Sequence, residues 1–145
     1  MPDPLQPVVL LVEDEPLVRL VAADLLNEAG CRVIEAAHAA EALAVLEAGL
    51  PVDVLLTDVD MPPGMNGYQL ANDVHRRWPA IEILVTSGRQ WPGEGDLPGG
   101  AAFLAKPCPS ETMISYVRTA AERAQAARKA AAAPEATIIP FGKTA

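Results

Sequence analysis

Short apolar runs alternate with segments of helical period along most of the chain. The runs interpreted as strands cover residues 8–12, 32–36, 52–57, 81–85 and 102–105. The segments interpreted as helices cover residues 16–29, 39–48, 68–77 and 110–133. This alternation is typical of a parallel sheet covered by helices. The pattern therefore predicts an α/β fold.

The first and last helices carry the clearest local signals. The apolar stripe of the first helix consists of Leu17, Val21 and Leu25. Residues at this spacing share one face of a helix. Ser110 is predicted to cap the last helix and Pro134 to end it, because proline cannot continue the backbone hydrogen bonding. Residues 135–145 are then expected to form a flexible tail.

Residues 88–100 interrupt the rhythm between the fourth and fifth strands. The segment contains five glycines and two prolines and shows no helical stripe. Glycine and proline at this density favour turns over regular helix. The helix expected here is therefore predicted to be short or irregular.

Composition and charge narrow the class of protein. The 145 residues fit one domain. No apolar run approaches the roughly 20 residues needed to span a bilayer, and a cytoplasmic location is expected. Cys31 and Cys108 are too few and too far apart for a disulfide scaffold, so both are interpreted as reduced thiols. The net charge of −8 argues against direct binding to nucleic acid.

Polar side chains follow four of the predicted strands. They are Glu13, Asp14, Asp58, Thr86 and Lys106. Because the carboxyl ends of parallel strands meet at one edge of a sheet, these residues are expected to form one site. Clustered carboxylates repel one another unless a cation joins them, and oxygen ligands favour Mg²⁺ or Mn²⁺. A metal site is therefore predicted, in which one carboxylate could attack phosphorus while Lys106 and Thr86 hold phosphoryl oxygens.

Four segments occur in a defined order at the strand ends: VLLVEDEP, LLTDVDMP, VTSG and FLAKP. Together they resemble the receiver domain of response regulators in two-component signalling. The resemblance implies a flavodoxin-like, doubly wound sheet of five parallel strands in the order 2-1-3-4-5, with the first and last helices on one face. It covers residues 7–123, leaving residues 1–6 as an N-terminal extension and residues 124–145 as a helical extension and tail.

The resemblance also assigns roles to the residues of the predicted site. Asp58 would be the phosphoacceptor, and Lys106 would pair with the phosphoryl group. Asp14, Asp58 and the backbone carbonyl of Asp60 would ligate the metal, while Glu13 would reach it through water.

A switch is implied by the same resemblance. Thr86 would move to hydrogen-bond the phosphoryl oxygen, and the ring of Phe103 would follow that movement. The Lys106–Pro107 peptide bond would be cis.

The sequence departs from the family pattern in three places close to the expected site and switch. The loop after Asp58 is one residue longer than usual, with Pro62 and Gly67 five positions apart. Residue 60 is acidic, which leaves the lifetime of the acyl phosphate open. Phe103 replaces tyrosine and lacks its hydroxyl.

The expected partners are proteins. His38 and His75 lie in no phosphorelay motif and are interpreted as surface residues, so the phosphodonor would be a sensor histidine kinase or a histidine phosphotransfer protein. Output would pass to an unknown target protein, because the sequence shows no fused output domain. A homodimer is compatible with this class of domain. The protein is expected to be a signalling domain and no enzyme, beyond self-phosphorylation from small donors and slow loss of the phosphoryl group.

Two other functions fit parts of the pattern. The Asp58-Val59-Asp60 sequence matches the nucleophile motif of haloacid-dehalogenase-type phosphatases. Those enzymes place that motif near the N-terminus, whereas here Asp14 comes 44 residues before Asp58. The other alternative is a degenerate receiver that acts only as an interaction module.

Overall fold

The computed structural model describes residues 6–138, with the backbone alone over residues 131–138. The strands are β1 (Val8–Val12), β2 (Arg32–Ala36), β3 (Val54–Asp58), β4 (Glu82–Ser87) and β5 (Ala102–Ala105). The helices are α1 (Pro16–Glu28), α2 (Ala39–Glu47), α3 (Gly67–Arg77) and α4 (Ser110–Ile138). All strand pairs are parallel, and the sheet order β2-β1-β3-β4-β5 confirms the predicted topology.

Alternating side chains of each strand build one core on either face of the sheet. In β1, Leu10 and Val12 join the core under α2 and α3, whereas Val9 and Leu11 join the core under α1 and α4. Parallel strands covered on both faces need apolar residues at consecutive positions. This requirement explains why the strands appear in the sequence as continuous apolar runs.

Helix α1 turns the part of its apolar stripe at Leu17 and Val21 toward solvent. Leu17 is 75% exposed and Val21 58% exposed, whereas Ala23 and Leu26 are buried. The stripe through Leu17 and Val21 therefore does not lie on the core face of the helix. Apolar residues occur around much of this helix, so spacing alone did not distinguish the packed side from the free one. The outcome is an exposed apolar surface on α1.

The capping residue and the end of helix α4 differ from the prediction. The carbonyl of Pro109 accepts the N–H of Met113 at 3.1 Å, so Ser110 is the first helical residue and not the cap. The helix also continues past Pro134 to Ile138, which corrects the predicted end at that proline. Proline removes one backbone donor, and the alanine-rich sequence before it has the highest helix propensity. The predicted flexible tail is thus helical over residues 135–138, and the remainder lies outside the described residues.

The part of α4 after residue 123 contacts the domain. Ala124 is buried, and Arg128 Nη1 lies 2.6 Å from Asp53 Oδ1. Asp53 is itself buried and accepts the N–H of Val8 at 2.8 Å, so this ion pair joins α4 to the start of β1. The boundary predicted at residue 123 falls inside a continuous helix. No helix in the described part of the chain is long and apolar enough to cross a membrane.

Residues 88–101 form turns and bends between β4 and β5, as the glycine content predicted. Leu97 and Ala101 pack against the core under α3, and Asn72 Nδ2 donates to the carbonyl of Asp96 at 2.8 Å. This irregular segment therefore occupies the place of a helix and stays attached to the fold.

Candidate functional site

The carboxyl edge of the sheet brings the predicted site residues together. Glu13 and Asp14 follow β1, and Asp58 ends β3. Carboxylate oxygens of these three residues all lie within 4.8 Å of one another. The burial of Glu13 and the partial burial of Asp14 and Asp58 leave this cluster little water to screen its charge.

Lys106 supplies a positive charge to the cluster. Its Nζ atom lies 3.2 Å from Glu13 Oε1 and 3.5 Å from Asp58 Oδ1. The backbone N–H of Lys106 donates to the carbonyl of Ser87 at 3.0 Å, and the Lys106–Pro107 peptide bond is cis as predicted. These contacts hold the residue at the end of β5 beside the end of β3.

Burial has the largest effect on the pKa values of Asp58 and Glu13. It raises the pKa of Asp58, an effect that the nearby Lys106 ammonium opposes and Asp14 reinforces. Burial likewise raises the pKa of Glu13, against the lowering effect of Lys106. One ammonium does not offset three clustered carboxylates, and the donor set consists of oxygen atoms alone. The arrangement therefore suits a hard divalent cation.

Arg19 supports the acidic loop after β1, a role that the sequence did not reveal. Its Nη1 atom donates to the carbonyl of Glu13 at 2.8 Å, and its Nε atom lies 3.3 Å from Glu35 Oε1. The guanidinium thus ties the loop to the end of β2. Glu35 is distant in sequence, and no local pattern would have indicated this contact.

Gly67 lets the start of α3 approach the backbone of Asp58. Its N–H donates to the carbonyl of Val59 at 2.8 Å, and a Cβ atom at this position would lie 2.0 Å from the carbonyl oxygen of Asp58. A capping box at the same helix start joins Asn66 and Gln69 through two bonds of 2.9 Å. Asn66-Gly67 was predicted only as part of a loop. The spacing of Asn66 and Gln69, three residues apart, is the sequence signature of a capping box and was the available signal.

The two predicted switch residues lie on neighbouring strands. Thr86 is paired in register with Asp58, and Phe103 is paired with Val85. The ring of Phe103 packs against that of Trp91, with centroids 5.5 Å apart. Thr86 thus lies beside Asp58 and Phe103 contacts the irregular segment, while their roles in switching remain predictions.

Asp60 is set apart from the other acidic residues of the site. Its carboxylate accepts a hydrogen bond from the side-chain amide of Gln90 and is not in the group of three close carboxylates. The predicted role of Asp60 involves its backbone carbonyl, which this side-chain orientation does not test.

A cavity of about 750 Å³ opens beside the cluster. Leu17 and Val21 of α1 line one side, Pro107 and Met113 line another, and Asp58 is at its polar end. An apolar cavity that ends at a reactive carboxylate offers space for a partner's side chains.

Comparison with known proteins identifies the family. Residues 9–118 match the family model described as the response regulator receiver domain. The match covers most of the chain and includes every residue of the carboxylate cluster. The chain therefore belongs to the receiver domains of response regulators, which are signalling domains of two-component systems. This membership argues against the haloacid-dehalogenase-type phosphatase considered above.

Individual relatives agree with this assignment. Over 119 residues the chain is 35% identical to the sensor kinase CckA of Brucella abortus, a match that covers 79% of this chain and 12% of CckA. It is 27% identical over 115 residues to the protein PilG of Pseudomonas aeruginosa, covering 76% of this chain and 84% of PilG. The chain spans 8% of the sensor protein TorS of Escherichia coli, so several relatives are much longer proteins.

Solved structures show the same fold. The receiver domain of the hybrid histidine kinase CckA is 34% identical, with a TM-score of 0.66 over 79% of this chain and 98% of that one. A response regulator receiver protein of Sinorhizobium medicae is 25% identical, with a TM-score of 0.75 over 82% of this chain and 97% of that one.

Proposed function

We propose that Asp58 accepts a phosphoryl group from the phosphohistidine of a sensor histidine kinase or of a histidine phosphotransfer protein. The observation that carries the proposal is the position of its carboxylate, 3.5 Å from the Lys106 ammonium and within 4.8 Å of Glu13 and Asp14. Membership in the receiver family supports the choice of acceptor and of donor class.

The reaction is a displacement at phosphorus. A carboxylate oxygen of Asp58 forms the new P–O bond, the bond from phosphorus to the donor nitrogen breaks, and the released imidazole keeps the electron pair and is protonated from solvent. Lys106 is placed to hold a phosphoryl oxygen after it leaves its contact with Glu13. Thr86 lies across the strand pair from Asp58 and would hydrogen-bond a second phosphoryl oxygen.

The carboxylate cluster fits Mg²⁺ or Mn²⁺. Asp14, Asp58 and the backbone carbonyl of Asp60 would be ligands, and Glu13 would act through water. A bound cation would offset the repulsion between these carboxylates and an incoming phosphoryl group. The contact of Lys106 with Glu13 and the hold of Arg19 on the Glu13 carbonyl keep the acidic loop in place before a cation binds.

The exposed apolar residues of α1 are the proposed docking surface for the phosphodonor. Leu17, Leu20 and Val21 form this α1 surface, and all are more than half exposed. Two of them line the cavity that ends at Asp58. An apolar patch next to Asp58 would bury the donor surface around the phosphohistidine and so orient that histidine toward Asp58.

The phosphorylated domain would signal through Thr86, Phe103 and the surface around the irregular segment 88–101. The same proposal includes signalling to a target protein, formation of a homodimer and a location in the cytoplasm. Any activity of its own would be limited to self-phosphorylation from small donors and slow loss of the phosphoryl group.

Intact-mass spectrometry after incubation with acetyl phosphate tests the proposed function. With Mg²⁺ present, the wild-type protein is expected to gain the mass of one phosphoryl group, and Asp58→Asn is expected to gain none. Absence of modification in the wild type would favour a degenerate interaction module. Catalytic turnover of phosphate monoesters would favour a phosphatase.

A further inference from the structure

We propose that Gln90 is a positioning residue that acts through Asp60: it holds the Asp60 carboxylate away from the Glu13–Asp14–Asp58 cluster and thereby lowers the affinity of the site for a divalent cation. This inference rests on the proposed function, since it concerns the metal site that phosphorylation of Asp58 would use. It assigns a role to the irregular segment that replaces a helix in this chain.

Gln90 is fixed at its backbone on both sides. Its N–H donates to Ser87 Oγ at 3.0 Å, and its carbonyl accepts the hydroxyl of Tyr68 at 2.6 Å. Ser87 and Tyr68 are both buried. Gln90 itself is exposed, yet these two buried anchors determine where its side chain starts.

From this fixed backbone, the amide of Gln90 reaches Asp60. Its Nε2 atom donates to Asp60 Oδ1. A hydrogen bond to a charged acceptor is stronger than one between neutral groups. The bond therefore favours the side-chain orientation of Asp60 in which its carboxylate stays outside the group of three close carboxylates.

Asp60 is close enough in the chain to act on the site if that bond is lost. It is two residues from Asp58, and the proposed ligand set already includes its backbone carbonyl. A fourth carboxylate turned toward the cluster would add negative charge to it. Among the described contacts of the cluster, the Lys106 ammonium is the positive charge that offsets it. A cation would bind that state more tightly, so by linkage the Gln90 bond opposes cation binding.

Isothermal titration with Mg²⁺ alone, without any phosphodonor, tests this inference on the full chain. The variants are Gln90→Ala, Asp60→Asn and the double variant. Gln90→Ala is expected to tighten Mg²⁺ binding on the order of fivefold, because the freed carboxylate can turn toward the cation. In the Asp60→Asn background, the same Gln90→Ala change is expected to leave the affinity unchanged.

The double-mutant comparison distinguishes an effect of Gln90 on the position of the Asp60 carboxylate from a general effect on the loop. Equal tightening in both backgrounds, or unchanged affinity in Gln90→Ala, would overturn the inference while leaving the phosphoacceptor role of Asp58 intact. A wild-type protein that binds no Mg²⁺ would overturn both the inference and the metal site on which it rests. Melting curves of all variants confirm that each is folded during titration.

Discussion

At the scale of single residues, the Asp58 carboxyl combines burial with neighbouring negative charge. Both raise its pKa, and the Lys106 ammonium opposes them. A carboxyl whose folded-state pKa lies above its unfolded value contributes stability at acidic pH, and this contribution is lost as the pH rises through the folded-state pKa. The ionised cluster therefore costs the domain stability near neutral pH.

Asp58→Asn is accordingly expected to stabilise the protein near neutral pH in the absence of divalent cations. A gain of about 1 kcal/mol would raise Tm by about 3 °C in a domain of this size. The difference from the wild type should shrink as the pH is lowered, because protonation of Asp58 then relieves the same repulsion. Thermal denaturation monitored by circular dichroism across pH measures it. A destabilised variant, or a difference that grows toward acidic pH, would contradict this interpretation of the cluster.

Gly67 gives a steric test of the contact between α3 and the acceptor. Gly67→Ala would place a Cβ atom 2.0 Å from the backbone oxygen of Asp58. Since backbone must move to relieve such a clash, the loss in unfolding free energy is expected to be about 3 kcal/mol. The matched control is Gly88→Ala, whose Cβ would meet Lys106 Cβ at an ordinary 3.6 Å. Urea denaturation of both variants measures the difference, and equal stabilities would show that the close approach is unimportant.

The place of some site residues could be predicted from the sequence, and the place of others could not. Asp58 and Lys106 follow apolar strands, and their place at the sheet edge could be predicted from that pattern alone. Arg19, Gly67 and Gln90 could not be predicted, because each acts through a contact with a separate segment. Such contacts depend on how loops meet in three dimensions and leave no period or motif in the chain.

At the scale of elements, α1 is the helix whose role the structure changes most. Its outward apolar residues lie beside the cavity that leads to Asp58. Burying these residues against a phosphodonor would remove apolar surface from water. The exposed side of α1 is not used by the core of the described domain, and the proposed docking of a phosphodonor would cover it.

Val21→Glu is expected to slow phosphotransfer from a sensor histidine kinase that phosphorylates the wild type, by about tenfold. Phosphorylation by acetyl phosphate should be unchanged, since a small donor needs no docking surface. The control is Leu50→Glu, an exposed apolar residue just before β3 at the opposite edge of the sheet. The rate of phosphotransfer is measured for both variants with each donor. Equal slowing by the two substitutions would show that α1 is not the docking site.

The elements also show where sequence patterns are ambiguous. The strands were predicted within two residues of their observed ends, because strands buried on both faces need continuous apolar runs. The pattern did not determine the packed side of α1, because its apolar residues occupy more than one face. The end of α4 was predicted wrongly because high local helix propensity outweighed one missing donor at Pro134.

At the scale of the whole molecule, the parallel topology explains why distant segments form one site. The strand order places β1 and β3 next to each other, so Asp14 and Asp58 meet although 44 residues separate them. The order of β4 and β5 then brings Thr86 and Lys106 to the same edge. The excess of carboxylate charge at that edge favours the binding of a divalent cation.

We propose that the carboxylate of Asp58 carries the phosphoryl group. Borohydride reduction of the protein after treatment with acetyl phosphate and Mg²⁺ identifies the modified residue, because borohydride reduces an acyl phosphate to the alcohol. Peptide mass spectrometry is predicted to find homoserine at position 58. It is expected only in the sample that received acetyl phosphate and was then reduced with borohydride. Reduction at another carboxylate, or an unmodified Asp58 in phosphorylated protein, would show that Asp58 is not the phosphoacceptor.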